Sequence, residues 1–233
     1  LAVVFDSPEP TFRHKMFADY KATRQKMPDE MAEQLPRLRE LIAAWGVPVF
    51  EKAGFEADDV LATMARLSEG NCDKAWFYTG DKDFQQCIDK RIGMLKPGRR
   101  GEDVTEVDLE HVRREWGLEP AELVDVFALS GDASDNIPGA PGIGPKTATK
   151  LIKENGSLDE LLANLDSAEL TPRQKSILTE NRDQILLSRR LFVIDDAVPM
   201  DIDWDSLRTV LPVSERAVSL LEEMGLRQAE NLA

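Results

Sequence analysis

The segment that decides the fold reads Gly131-Asp132-Ala133-Ser134-Asp135-Asn136-Ile137-Pro138-Gly139-Ala140-Pro141-Gly142-Ile143-Gly144-Pro145-Lys146-Thr147. Two of its carboxylates, Asp132 and Asp135, stand three residues apart and can point the same way, and a ligand set made only of oxygen suits Mg²⁺ or Mn²⁺ better than zinc. Gly142 and Gly144 allow a tight turn, after which a helix starting near Lys146 presents free N–H groups to an anion. The segment therefore predicts a metal site beside a phosphate site.

Length and composition indicate a folded protein with no membrane partner. The 233 residues are 42% hydrophobic, which is enough for one large or two small domains. The sequence shows neither a run of eighteen apolar residues nor a signal segment. Cys72 and Cys87 lack metal-ligand spacing and are expected to be reduced thiols, which is typical of a cytoplasmic protein.

The net charge of −14 would by itself argue against a nucleic-acid partner, because phosphate binding depends on Lys and Arg. The distribution of charge matters more than the sum. Acids concentrate in short motifs that could surround divalent cations, whereas basic residues gather at 13–26, 96–100 and 146–153. This pattern predicts an acidic site with basic flanks.

Short apolar runs in the first half predict parallel strands at 1–5, 47–50, 75–78 and 92–95. Predicted helices at 11–26, 28–45 and 54–68 alternate with them, and such alternation indicates a parallel sheet. The first run ends in Asp6, and the third is followed by Asp81 and Asp83. Because ligands bind at the carboxyl ends of parallel strands, these side chains are expected to converge.

From residue 107 onward the pattern turns helical. Helices are predicted at 107–116, 120–129, 146–155, 158–165, 173–190 and 214–224, with one short strand at 191–194. We therefore expect an α/β first half and a helical second half.

Eight carboxylates fall at predicted strand ends, helix starts and turns. Acids at a helix start can merely complement its dipole, which accounts for one or two of them. Bringing carboxylates together without cations raises their pKa values, so a cluster of this size implies bound metal, and two ions about 3.5–4 Å apart suit phosphodiester hydrolysis. The eight are Asp6, Glu56, Asp58, Asp59, Asp81, Asp83, Asp132 and Asp135.

Seven motifs together resemble the 5′–3′ exonuclease domains of bacterial DNA polymerases I, within the flap endonuclease family. They are Val4-Phe5-Asp6, Phe12-Arg13, Tyr20-Lys21-Ala22-Thr23-Arg24, Glu56-Ala57-Asp58-Asp59, Thr79-Gly80-Asp81-Lys82-Asp83, Gly131-Asp132-Ala133-Ser134-Asp135-Asn136 and Gly142-Ile143-Gly144-Pro145-Lys146-Thr147. The resemblance implies a PIN-like parallel sheet flanked by helices in residues 1–106, with a helical arch at about 11–45. It also implies a helical part in 107–233, with a helix-hairpin-helix at about 131–155.

The resemblance also implies roles for individual residues. Asp6, Glu56, Asp58 and Asp81 would mainly hold a first Mg²⁺ or Mn²⁺, and Asp83, Asp132 and Asp135 mainly a second, with Asp59 close by. Lys21 and Arg24 would contact the scissile phosphate, Tyr20 would stack on a base, and Arg13 would contact DNA. The hairpin residues Gly142, Gly144, Lys146 and Thr147 would grip duplex backbone, where the family also binds K⁺.

The implied activity is metal-dependent cleavage of branched, flapped or nicked duplex DNA and of RNA primers on DNA, by a monomer. One departure is that the family carries a strand with a further metal-binding Asp before the strand that ends in Asp6: either the protein lacks this segment, or the gene product begins upstream of Leu1. Two alternatives therefore stay open: a module that binds DNA structures without cleaving them, and a PIN-type RNA nuclease. Retention of the eight carboxylates favours cleavage, and the hairpin favours duplex DNA.

Overall fold

The computed structural model describes residues 1–98, 103–208 and 214–225. In this part of the chain five short strands form two sheets. The strands are β1 (Val3–Val4), β2 (Val49–Phe50), β3 (Ala75–Tyr78), β4 (Ile92–Lys96) and β5 (Thr105–Val107). β1 pairs with β2 and β3 with β4 in parallel, whereas β5 is antiparallel to β4. The predicted α/β class with a small parallel sheet flanked by helices is confirmed, although the sheet is divided and has one antiparallel edge.

The first half also contains four helices, α1 (Phe12–Met16), α2 (Asp29–Ala32), α3 (Leu35–Ala44) and α4 (Ala57–Leu67). The continuous helices predicted over 11–26 and 28–45 are wrong. α1 stops before Phe17, which is extended, and Lys21 has a φ of 56° that a helix interior does not tolerate. Pro36 lies in the first turn of α3, where its missing N–H costs nothing, so it starts a new helix there.

β3 shows how the sheet meets the core. Phe77 is buried and its ring lies 4.7 Å from that of Phe84, whereas Trp76 and Tyr78 on the opposite face are exposed. β1 and β3 are not hydrogen-bonded to each other among the described residues. An open cleft of about 540 Å³ lies there, lined by residues 1–4 and 75–79 and by Leu61 and Met64 of α4.

The second half is helical. Its helices are α5 (Leu109–Trp116), α6 (Leu123–Ser130), α7 (Pro145–Asn155), α8 (Leu158–Ala163), α9 (Pro172–Glu180), α10 (Arg182–Phe192) and α11 (Glu215–Glu223). The helix predicted at 173–190 divides at Asn181, and the strand predicted at 191–194 is wrong. Leu191 and Phe192 are the buried last turn of α10, and a short apolar run does not distinguish a strand from such a turn. No described helix has both the length and the apolar character needed to cross a bilayer.

The main hydrophobic core joins the two halves and anchors α6. Almost every residue of α6 is buried, and Phe127 packs on Phe192 of α10 with ring centroids 5.7 Å apart. α10 and α7 both pack against α6. A separate cluster joins α3 to α11 through Leu41 and Leu220, and the Ser214 hydroxyl donates to the Ala44 carbonyl at 2.6 Å. The core therefore anchors α6, and with it the start of the turn that follows.

Candidate active site

The end of β3 delivers two carboxylates. Asp81 caps a short 3₁₀ helix at Lys82–Cys87, and its Oδ1 accepts the backbone N–H of Asp83 at 3.0 Å. Asp83 is half-buried in the first turn of that helix. Its Oδ1 is enclosed and has no hydrogen-bond partner among the described residues. A buried oxygen of this kind is costly unless a cation or donor satisfies it.

The start of α4 contributes three more acids. Glu56 is the N-cap, and it forms a reciprocal capping box with Asp59, whose Oδ2 accepts the Glu56 N–H at 3.0 Å. Asp58 lies in the first turn. Asp6, at the end of β1, accepts the N–H of Ala57 at 2.8 Å. Below, Asp6, Glu56 and Asp58 are called the α4-side carboxylates.

The turn after α6 holds Asp132 and Asp135, called here the turn carboxylates. It is a tight loop closed by a backbone bridge between Asp132 and Ile137. A Cβ on Gly131 would lie 2.6 Å from the Ile137 carbonyl oxygen, so only glycine allows the two arms to approach this closely. Asp132 Oδ1 accepts both the N–H and the hydroxyl of Ser134, at 2.7 and 2.5 Å.

The three elements meet around one small cavity of about 30 Å³, which has room for a water molecule or an ion of similar size. Five of the eight predicted acids line it: Glu56, Asp58, Asp81, Asp83 and Asp135. Arg13, Tyr20 and Arg24 line it too. Asp6, Asp59 and Asp132 do not line it.

The pKa shifts of these acids indicate two groups of interacting carboxylates, and Asp81 acts on both. Burial, reinforced by the charges of Asp81 and Glu56, raises the pKa of Asp58 to about 7. Burial also raises the pKa of Asp83 to about 7, here with help from Asp81 and the turn carboxylates. Burial would raise the pKa of Asp132 as well, but hydrogen bonds from Ser134 and the Lys82 ammonium outweigh it and bring that pKa below its usual value.

Basic side chains neutralise part of this charge. Lys21 Nζ lies 2.6 Å from Glu56 Oε1, Arg24 Nε lies 2.8 Å from Asp135 Oδ1, and Lys82 Nζ lies 3.3 Å from Asp132 Oδ2. The Lys21 N–H also donates to the Asp135 carbonyl at 2.9 Å. Sequence reasoning missed Lys82, although its position between Asp81 and Asp83 was a usable signal.

Arg13 and Asp59 form a buried pair beneath the cavity, which corrects two predicted roles. Arg13 is 2% exposed and Asp59 is 0% exposed. Arg13 donates to both oxygens of Asp59 at 2.7 and 2.8 Å, to Glu56, and to the carbonyls of Leu191 and Val193. Arg13 has no surface left for DNA, and both oxygens of Asp59 are already engaged. The pair instead anchors the start of α4.

Tyr20 is also inside the protein. It is 4% exposed, and its hydroxyl donates to Glu56 Oε2 at 3.0 Å. Its ring packs edge-on against His14 with centroids 5.3 Å apart. The geometry therefore offers no free ring face for stacking on a base, and Tyr20 orients Glu56 instead.

Of the predicted hairpin residues, Gly142 and Gly144 lie in the loop before α7, and Lys146 and Thr147 lie in the first turn of α7. Gly142 has a φ of 77°, Gly144 is the N-cap of α7, and no side chain caps that helix start. Lys146 is exposed and Thr147 is half-buried in the first turn. None of these four residues lines the carboxylate cavity, so the structure places two separate surfaces on one turn.

Within residues 1–98, 103–208 and 214–225, no group of three or more His, Cys, Asp or Glu side chains is arranged to hold a single metal ion. Ion pairs to Lys21, Arg24 and Lys82 engage one oxygen each of Glu56, Asp135 and Asp132. The donor set nevertheless fits hard divalent cations, since it consists of carboxylate oxygens and leaves the enclosed Asp83 Oδ1 unsatisfied.

Two family models match the chain. A 5′–3′ exonuclease N-terminal resolvase-like domain matches residues 1–117, and a 5′–3′ exonuclease C-terminal domain of SAM fold matches residues 118–215. The chain belongs to the 5′–3′ exonuclease family, and the predicted relationship is confirmed.

Its curated relatives include proteins named DNA polymerase I. The one from Bacillus caldotenax is 36% identical over 227 residues, which are 97% of this chain and 26% of the relative. The thermostable one from Thermus thermophilus is 38% identical over 240 residues, covering 100% of this chain and 28% of the relative. The chain thus spans about a quarter of the length of the relatives it matches.

Solved structures support the fold. A T5 5′-exonuclease with bound zinc superimposes with a TM-score of 0.68 at 20% identity, covering 99% of this chain and 80% of the other. The catalytic core of Rad2 in complex with DNA substrate gives a TM-score of 0.63 at 20% identity, covering 98% and 77%. At this identity the likeness concerns the fold alone.

Proposed function

We propose that the chain is a divalent-metal-dependent, structure-specific 5′ nuclease that hydrolyses phosphodiester bonds at 5′ flaps, at nicks in duplex DNA and in RNA primers. One observation carries the proposal: five carboxylates from three separate elements line one cavity, and one of their oxygens is enclosed without a partner. Family membership and the T5 5′-exonuclease with bound zinc support it.

The proposed ligands are the α4-side carboxylates, the turn carboxylates, Asp81 and Asp83. Besides burial, the charge of Asp81 raises the pKa of both Asp58 and Asp83, so Asp81 would contribute to the ligand set beside both of them. These residues would hold a pair of Mg²⁺ or Mn²⁺ ions, which would supply activation of a water and stabilisation of the leaving oxygen. Asp59 is omitted from the ligands because it is fully buried, lies outside the cavity lining and is paired through both oxygens with the buried Arg13.

Lys21 contacts a carboxylate oxygen of Glu56, and Arg24 contacts one of Asp135. We propose that both cations contact the scissile phosphate beside these carboxylates. Cationic donors at that position would stabilise negative charge that develops in the transition state. Tyr20 holds Glu56 from the other side, and Lys82 holds Asp132. Both act by positioning a carboxylate.

The hairpin would bind duplex backbone through Lys146, Thr147 and the N–H groups that follow Gly144, with K⁺ as a further ligand that the family resemblance implies. Such contacts position the nucleic acid without reading its bases, which suits recognition of a branched structure instead of a sequence. The catalytic core of Rad2, which is similar in fold, is solved in complex with DNA substrate, and this supports a DNA partner.

A cleavage assay with three labelled substrates tests the proposal. We expect Mg²⁺-dependent cutting of a 5′-flap and of a nicked duplex, with single-stranded RNA cut far more slowly, and no cutting in EDTA. The matched control is Asp73→Asn, which changes an exposed acid outside the site. Duplex binding without cleavage would instead support the binding-module alternative, and preferential RNA cleavage would support a PIN-type RNA nuclease.

A further inference from the structure

A second basic surface lies away from the carboxylates, in a cleft of about 360 Å³ between α5 and α7. It is lined by Glu115, Trp116, Pro145, Lys146, Thr149 and Lys153. Pro145, Lys146, Thr149 and Lys153 fall within the predicted helix-hairpin-helix at about 131–155, but only Lys146 among them was assigned a contact with DNA. The rest of the lining is unaccounted for by the site described above.

One face of α7 supplies the basic side. Lys146, Thr149 and Lys153 follow each other at spacings of three and four residues, which places them along one face. In the described portion of the chain neither Lys146 nor Lys153 forms an ion pair, whereas Lys150 lies 3.6 Å from Glu154. The one acid in the lining, Glu115, lies 3.5 Å from His111 Nε2. The ammonium groups of the two cleft lysines are therefore not held by a carboxylate of the described residues.

The opposite wall is an immobilised aromatic ring. The Trp116 indole N–H donates to Gln85 Oε1 at 2.6 Å, and the ring packs edge-on against Phe127 with centroids 5.8 Å apart. These contacts fix the ring while leaving part of it in the cleft, because Trp116 is only half-buried. A fixed apolar wall beside two cations suits a ligand with both an anionic and an apolar part.

We propose that this cleft binds the nucleic-acid backbone, with Lys146 and Lys153 on different phosphates of one strand and a sugar packed against Trp116. The two lysines are separated by roughly 10 Å along α7, so a single phosphate does not satisfy both. The inference rests on the proposed function, which it deepens by extending the duplex-binding surface from the hairpin along α7 to α5.

Lys153 also has a purely structural interpretation. A Cβ placed on Gly117 would come within 2.5 Å of Lys153 Nζ, so the lysine lies across the end of α5. A cation there stabilises the helix dipole. The experiment must therefore separate a contribution to folding from a contribution to binding.

The test compares Lys153→Ala with Lys150→Ala, two changes of the same kind on one helix. Affinity for a labelled nicked duplex is measured by fluorescence anisotropy in Ca²⁺, between about 50 and 200 mM salt. Lys153→Ala is expected to weaken binding several-fold and to reduce the slope of log affinity against log salt by about 0.9, the value for one lost phosphate contact. Lys150→Ala should leave the slope unchanged. Lys153→Arg should have the same slope as the unmodified protein, because it keeps the positive charge.

Equal slopes for the two alanine variants would overturn the inference. A lower melting temperature for Lys153→Ala with an unchanged slope would overturn it too, and would assign Lys153 to the end of α5. If the unmodified protein bound duplex DNA with a normal salt dependence while Lys153→Ala matched it, the proposed function would stand without this cleft. Absence of any duplex binding would overturn both.

Discussion

Both carboxylate groups contribute to the same cavity, Glu56 and Asp58 from the α4 side and Asp135 from the turn, but the two groups are held in different ways. At the start of α4, Glu56 is fixed by the buried Arg13, by Tyr20 and by the capping box. In the turn, the partners of Asp132 and Asp135 are Lys82 and Arg24, whose side chains are each 51% exposed. Buried pairs are hard to exchange, whereas exposed pairs contribute little and are screened by salt.

The difference suggests that the α4 side and the turn side of the site have different roles. The α4 side provides a geometry that is present before any ligand arrives, because its anchoring charges are in the interior. The turn side is neutralised by cations that can leave at small cost when a metal or a phosphate competes for the same oxygens. Four predictions test this contrast.

The largest effect is expected from removing the buried anchor. Arg13→Ala leaves Asp59 as an unpaired charge in the interior, which typically costs about 3–5 kcal/mol of unfolding free energy. Arg24→Ala removes a comparable ion pair at the surface and should cost about 0–1 kcal/mol. Urea unfolding of the two metal-free variants measures both. Equal losses would mean that burial does not distinguish the two sides of the site.

The second-largest effect is expected from replacing single carboxylates of the site. Asp58→Asn on the α4 side and Asp135→Asn in the turn should each lower the single-turnover cleavage rate roughly 10³-fold or more, at least as much as removing one oxyanion donor. Asp132→Asn is expected to behave like Asp135→Asn. Binding of the flap substrate in Ca²⁺ should stay within a few-fold because the hairpin is untouched. Near-native turnover in either turn variant would remove the turn from the metal site.

The third prediction separates chemistry from binding. Lys21→Ala and Arg24→Ala should lower the single-turnover rate by roughly 10²-fold while changing affinity little, since their donors act on developing charge. Lys146→Ala should do the opposite, weakening duplex affinity and reducing its salt dependence by about one phosphate contact. If all three changed affinity alone, Lys21 and Arg24 would be ordinary backbone contacts.

Local features of the site were accessible from sequence, whereas its long-range contacts were not. The strand at 75–78 and the acids after it lie within nine residues, so pattern and position suffice to place Asp81 and Asp83 at a strand end. The roles of Arg13 and Tyr20 depend on partners 46 and 36 residues away. An arginine beside an aromatic residue gives no sign that it will be buried, so sequence reasoning assigned Arg13 to DNA.

The fold shows the same limit. β5 was missed because Thr105 and Glu106 are exposed, and only Val107 of the strand is buried. The helix over 11–26 was expected from its amphipathic pattern, but contacts of Lys21 with the turn after α6 redirect the chain. The boundary between the two predicted parts at 106 and 107, and the further strand that the family resemblance implies beside β1, stay predictions.

The smallest expected effect is on the dependence of stability on pH. Burial, together with the charge of Asp81, raises the pKa values of Asp58 and Asp83 from 3.8 to about 7. Because the folded pKa lies above the unfolded one, the folded state binds more protons between about pH 4 and 7, and stability is lost as the pH rises through this window. Asp83→Asn removes one such group. Without metal, the melting temperature of this variant should therefore fall less steeply with rising pH than that of the unmodified protein.

Thermal melts of both proteins in EDTA at three pH values across that window measure the difference. Asp132, whose pKa is lowered from 3.8, titrates below this window and therefore adds little to the slope within it. At the upper end of the window Mg²⁺ should raise the melting temperature of the unmodified protein more than that of Asp83→Asn, because the cation replaces the lost proton on a shared oxygen set. If the two proteins gave parallel plots of melting temperature against pH and equal increases with Mg²⁺, Asp83 would face neither the other acids nor the ion. The two sides of the site would then not meet at Asp81.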